Sequence, residues 1–154
     1  MKKYIALLLT ALLALSLVAC SGGNDTPAET SQQVTVMYYH GDETAEHIIP
    51  TEATVAEITP DNLMNLLIEK GVLSAGAAVN TLSLENGQLV VDVNSEFATQ
   101  LQGMGTTGEY MMLGSFVNTF LSAYQAESMM LTAGGEPLAT GHNIYDLPLT
   151  FFED

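Results

Sequence analysis

The chain has 154 residues, enough for one domain and a leader, and 47% of them are hydrophobic. It carries 18 acids against 3 bases, a formal net charge of −15, and all three bases are lysines. Such a balance repels phosphate backbones and excludes a nucleic-acid partner, and without arginine there is no bidentate fork for phosphate or carboxylate ligands.

Met1-Lys2-Lys3 is a basic start, and Tyr4 to Ala19 is an apolar run of 16 residues. A membrane-spanning helix needs about 20 such residues, so the run reads as a secretory signal. Leu17-Val18-Ala19-Cys20 resembles the bacterial lipobox, in which the cysteine becomes the mature N-terminus. The chemistry needs a thiol there: the sulfur takes a diacylglycerol through a thioether, and the signal peptidase cleaves before the modified residue. Cys20 is the single cysteine, so no disulfide can form within the chain. An uncut signal anchor and ordinary cleavage with a free thiol are the alternatives. The basic start, the apolar run, the lipobox and the polar aftermath together favour lipidation, with fatty acyl chains such as palmitate.

Residues 1–19 are thus expected to leave, and the rest to sit on the extracytoplasmic face of the cell membrane. Each buried acyl methylene adds about 0.8 kcal/mol, so two or three chains anchor the protein durably. What remains has 18 acids and only Lys70 as a base. Cys20 and the tether Ser21 to Gln33 (SGGNDTPAETSQQ) form the segment 20–33, which has no large apolar side chain after the cysteine. As a coil this tether spans on the order of 20 Å, so the domain at 34–154 hangs close to its anchor.

Val34 to His40 (VTVMYYH) is β-branched and aromatic and predicts a strand. Glu46 to Ile58 reads as extended, with Pro50 at an edge or bend. Thr59-Pro60-Asp61 is a helix start, Leu63, Leu66, Leu67 and Lys70 follow at helical spacing, and Gly71 stops the helix. Val79–Glu85 and Gln88–Asn94 are joined by Asn86-Gly87, a strong hairpin signal. Ser95-Glu96-Phe97-Ala98 opens a short helix that fades across Gly103 to Gly108. A longer helix is expected from Glu109 to Gln125, with Tyr110, Leu113, Val117, Phe120, Leu121 and Tyr124 as its apolar stripe. Glu127–Ala133 predicts a strand, and Asp146–Phe152 a short terminal element. These elements predict an α+β fold, a mostly antiparallel sheet with two main helices packed on one face.

Several side-chain groupings invite chemistry, and each has a plainer reading. Asp92, Asn94 and Glu96 have the opening rhythm of a calcium loop, but Phe97 and Gly103 occupy the positions that need glycine and a bidentate glutamate. His40, Asp42, Glu43 and His47 lie close in sequence, and His142 could join them for zinc; a solvated turn explains them better. Met111-Met112, Met129-Met130 and Met104 are soft ligands for copper in principle and interface packing in practice. No serine stands in a Gly-x-Ser-x-Gly elbow, and Gly103 to Gly108 lacks the Gly-Lys-Ser/Thr ending of a phosphate loop. The sequence therefore assigns no catalytic, cofactor-binding or metal-binding residues; the site residues it offers are Cys20 for the lipid and Leu17, Val18 and Ala19 for cleavage.

With its elements in order, the chain resembles the GerMN domain, named for sporulation and spore-germination proteins. VTVMYYHGD resembles the family's opening strand and turn, and TPDNLMNLLIEKGV its first helix. ENGQLVVDVNSEFATQL resembles its hairpin and helix entry, and YMMLGSFVNTFLSAYQAESMMLTAGGEPL its long helix, next strand and turn. TGHNIYDLPLTFF resembles its close. Gly134-Gly135-Glu136 departs from the family's acidic-Gly-Lys order, and one copy of the domain is present where some members carry two. The resemblance implies an extracytoplasmic, often lipid-anchored module similar to ring-building modules of envelope complexes, with no catalytic residue set. It implies envelope proteins or self-association as partners. It does not imply sporulation or germination specifically, because the domain also occurs in non-sporulating bacteria. The competing expectation is a surface lipoprotein that binds a small molecule or a metal.

Overall fold

The computed structural model describes residues 33–153. β1 (Val34–Gly41) and β2 (Ile48–Val55) pair antiparallel as a two-stranded sheet, with Pro50 opposite Tyr39. α1 (Pro60–Glu69) starts as its sequence dictates: Thr59 is extended, and its hydroxyl accepts from the Asn62 N–H at 3.2 Å. It stops at Lys70, and Gly71 follows at φ +75°, a conformation that needs glycine. β3 (Val79–Glu85) and β4 (Gln88–Val93) form the predicted hairpin, with Asn86 and Gly87 both at positive φ, as a tight primed turn requires.

α2 (Ser95–Gln102) and α3 (Thr106–Tyr124) carry the chain back so that β5 (Ser128–Ala133) runs parallel to β4. β6 (Glu136–Ala139) turns back on β5 across Gly134-Gly135, and β7 (Ile144–Tyr145) pairs with β6. The order of this second sheet is β3-β4-β5-β6-β7, antiparallel except for β4–β5. The architecture is α+β.

The core sits between the layers. Leu89, Val91 and Val93 of β4 and Met129 and Leu131 of β5 are all fully buried and share one face of the large sheet. Against that face lie α1 and α2, with Phe97 packed on Phe116 at 4.8 Å between ring centres. From Met112 to Leu121 every residue of α3 is buried, because the β1–β2 sheet covers the side that a two-layer fold would leave wet. The expected stripe is therefore only part of the buried surface. Leu113, Val117, Phe120 and Leu121 lie in it, whereas Tyr110 is exposed and Tyr124 half-buried.

Three boundaries differ from the sequence expectation. α3 begins at Thr106, not Glu109, because Gly105 serves as the N-cap and Gly108 lets Met104 fold back on the first turn. Asn94 leaves the strand and caps α2. At the end of the chain the strand is Ile144–Tyr145, and 146–152 runs on outside any strand, bridged to β5 at Leu149.

Candidate functional site

Cys20 and the cleavage residues Leu17, Val18 and Ala19 lie outside the described residues. The side chains singled out within the domain can be placed. His40 is the penultimate residue of β1, stacked on Tyr38, and its ring nitrogens lie 3.0 Å from the Thr51 hydroxyl and 2.9 Å from its neighbour's carbonyl at Gly41. Asp42 organises the β1–β2 turn. Its carboxylate accepts from the Glu46 N–H at 2.9 Å, which is the main cause holding it below the usual range, and from the Thr44 hydroxyl at 3.0 Å. Among the described residues no three His, Cys, Asp or Glu side chains converge to hold a metal ion.

Asp92 and Asn94 are brackets inside the fold. Asp92 accepts from Asn80 Nδ2 at 2.8 Å, from Thr132 Oγ1 at 2.7 Å and from the Gly135 N–H at 2.7 Å, tying β3, β5 and the β5–β6 turn together. These bonds, Asn80's first, depress its pKa. Asn94 Oδ1 accepts from the Phe97 and Ala78 N–H groups, each at 3.1 Å, while Nδ2 donates to the Gly76 carbonyl at 2.7 Å. The methionines pack: Met112 and Met129 are core, and Met130 points to the opposite face of β5.

The sequence does not mark Glu109 as special, since an acid in the first turn of a helix is ordinarily a solvated partner of the helix dipole. Here it is 1% exposed. Its Oε1 accepts from the Tyr145 hydroxyl at 2.5 Å, Thr140 Oγ1 at 2.9 Å and Asn143 Nδ2 at 3.1 Å, while Oε2 is buried without a protein partner. Burial works to raise this carboxyl; the bonds from Tyr145, Asn143 and Thr140 outweigh it and hold it below its ordinary value. Burial, then the bond to Glu109, pushes Tyr145 up to about 12. Three donors spaced within six residues, TGHNIY, are the one trace of this site in the sequence. Glu109 fastens the 140–145 loop to α3.

The same C-terminal stretch carries the two most exposed large apolar side chains among the described residues, Ile144 at 69% and Leu147 at 73%, together with Phe151 at 44%. A shallow cleft of about 600 Å³ lies beside α2 and β6. Asn80, Ser95, Thr99, Gln102 and Pro137 are among its lining residues, and none of the lining residues is charged. Among the described residues no helix is long and apolar enough to cross a membrane.

Compared with known proteins, residues 35–139 match the family model Germane, described as sporulation and spore germination. No curated protein matches. A candidate lipoprotein from Clostridium perfringens aligns with TM-score 0.50 at 16% identity, over 77% of this chain and 87% of that one. The first GerMN domain of the Bacillus subtilis sporulation protein GerM aligns with TM-score 0.57 at 16% identity, over 76% and 97%. The tandem GerMN domains of the same protein align with TM-score 0.54 at 15% identity, over 78% of this chain and 44% of that one. At such identities the similarity is one of fold.

Proposed function

The chain belongs to the Germane family of sporulation and spore germination, and on that premise we propose that it is a non-enzymatic, lipid-anchored interaction module of a bacterial envelope assembly. The observation that carries the reading is a lipobox-type leader running through a short tether directly into a Germane domain. Cys20 holds the membrane on the extracytoplasmic face, and the tether keeps the domain within reach of membrane-bound neighbours. The domain's polar side chains support this: half-buried Asp92 and Asn94 and buried Glu109 are each spent on holding the fold. Crosslinking in cells followed by recovery of the protein tests it. Discrete complexes in at least one growth state are expected; recovery as an unbound monomer in every state contradicts it.

A second reading rests on the uncharged cleft beside α2, which would suit a neutral, hydrogen-bonding small molecule. A thermal-shift screen decides it: a compound that raises the melting temperature, and fails to do so in a Thr99→Trp variant, supports it, and a screen without such a compound removes it.

A further inference from the structure

The segment 144–152 alternates between anchors and exposed apolar groups. Tyr145, Leu149 and Phe152 pack on the core, while Ile144, Leu147 and Phe151 face out. The backbone between them is tied down at several points. Met129 and Leu149 exchange N–H···O bonds of 2.7 Å in both directions. Asn118 bonds the Phe152 carbonyl at 2.9 Å and its N–H at 2.8 Å, and the Tyr110 hydroxyl donates to the Glu153 carbonyl at 2.6 Å. The Glu109 cluster holds the upstream end. The three outward side chains are thus a fixed rib rather than a loose tail, and their ordering cost is already met before any contact.

Charge says what can cover this rib. Asp146 stands between Ile144 and Leu147, and Glu153 follows Phe151, both exposed. The one Lys or Arg among the described residues, Lys70, lies elsewhere, its ammonium 5.8 Å above the Tyr38 ring. An anionic lipid surface therefore finds no basic anchor here. A second copy of this acidic chain would bring like charges together around the same contact. Position agrees. The tether joins at Val34, whereas Phe151 meets Tyr39, whose ring centre is 5.2 Å away near the other end of β1. At about 3.3 Å per residue these two points of the strand are roughly 17 Å apart.

We propose that the rib formed by Ile144, Leu147 and Phe151 docks a protein partner whose contact face is apolar and rimmed by Lys or Arg. The proposal rests on the interaction-module reading and names its surface. The test places a benzoylphenylalanine photo-crosslinker in the full-length protein in its own cells, at Leu147 and, separately, at Ser83 on the open face of β3. The expected result is an adduct from Leu147 to a different protein, at a peptide of apolar residues flanked by Lys or Arg. Its yield should fall about tenfold with Asp146→Lys, which reverses the rim charge, and with Ile144→Ser, which removes an exposed anchor. The melting temperature should be unchanged in both. An adduct to lipid, to a second copy or to an acidic peptide overturns the proposal, as does a Leu147 adduct indifferent to Asp146→Lys. A protein adduct from Ser83 with none from Leu147 overturns the surface and leaves the interaction-module reading standing; no protein adduct from either position counts against both.

Discussion

Glu109 and Tyr145 are 36 residues apart in sequence, and their side-chain oxygens are 2.5 Å apart. The bond joins the first turn of α3 to the last strand, so a buried carboxylate decides where the chain's final segment lies. Glu109→Gln keeps the shape and removes the charge; it should cost about 1–3 kcal/mol. Tyr145→Phe removes one of three donors and should cost about 1–2 kcal/mol, with the double variant less than additive because the two share one contact. Urea titration of each variant measures both numbers.

The pH dependence follows from the same groups. Asp42, Asp92 and Glu109 all have folded-state pKa values below their ordinary ones. Each therefore stabilises the fold above its unfolded pKa, near 4, and loses that contribution as pH falls through the lower folded value. Tyr145 acts at the other end. Raised from 10.0 to about 12, it contributes fully below pH 10 and loses its share as pH climbs between those values. Melting curves from pH 2 to 12 should show a smaller alkaline loss in Tyr145→Phe than in the parent, the remainder coming from Tyr124, which burial also raises.

Gly114 marks the closest approach of three elements. A methyl group there would collide with Ile48 Cδ1 of β2 and come within 3.0 Å of the Phe152 ring. Gly114→Ala should destabilise by about 1–3 kcal/mol, through overpacking rather than lost helix propensity, which alanine improves. A calorimetric melt should give a lower Tm, and Phe152→Leu in the same chain should recover part of it.

Gln125 closes α3 in the left-handed region at φ +53°. Glycine adopts that conformation without strain, so Gln125→Gly should stabilise by about 0.5–1 kcal/mol. An unchanged or lower urea midpoint would show that the Gln125 side chain carries a compensating contact.

What the sequence showed and what it hid divide along a physical line. Local chemistry is legible: Thr59-Pro60 begins α1 and Asn86-Gly87 turns the hairpin. Contacts made at long range are not. The burial of α3 on all sides from Met112 to Leu121 depends on β1 and β2 lying across it, and a stripe read at helical spacing names only one side of such a helix. Polar groups were misjudged for the same reason. Asp92 and Asn94 stand out only as part of a failed calcium loop, and Glu109 only as the expected start of the long helix. Their partners Thr132, Ala78 and Tyr145 lie 40, 16 and 36 residues away. The proposed lipobox at Leu17 to Cys20 rests on sequence alone, since such a motif is read as a linear peptide by an enzyme and not assembled by folding.

That linear motif is also where the account is most directly tested. Cells growing on labelled palmitate should incorporate label into the full-length protein and retain it in the membrane fraction. The Cys20→Ala variant should carry no label and leave that fraction. Equal labelling and equal membrane retention of the two proteins would contradict the lipid-anchored module.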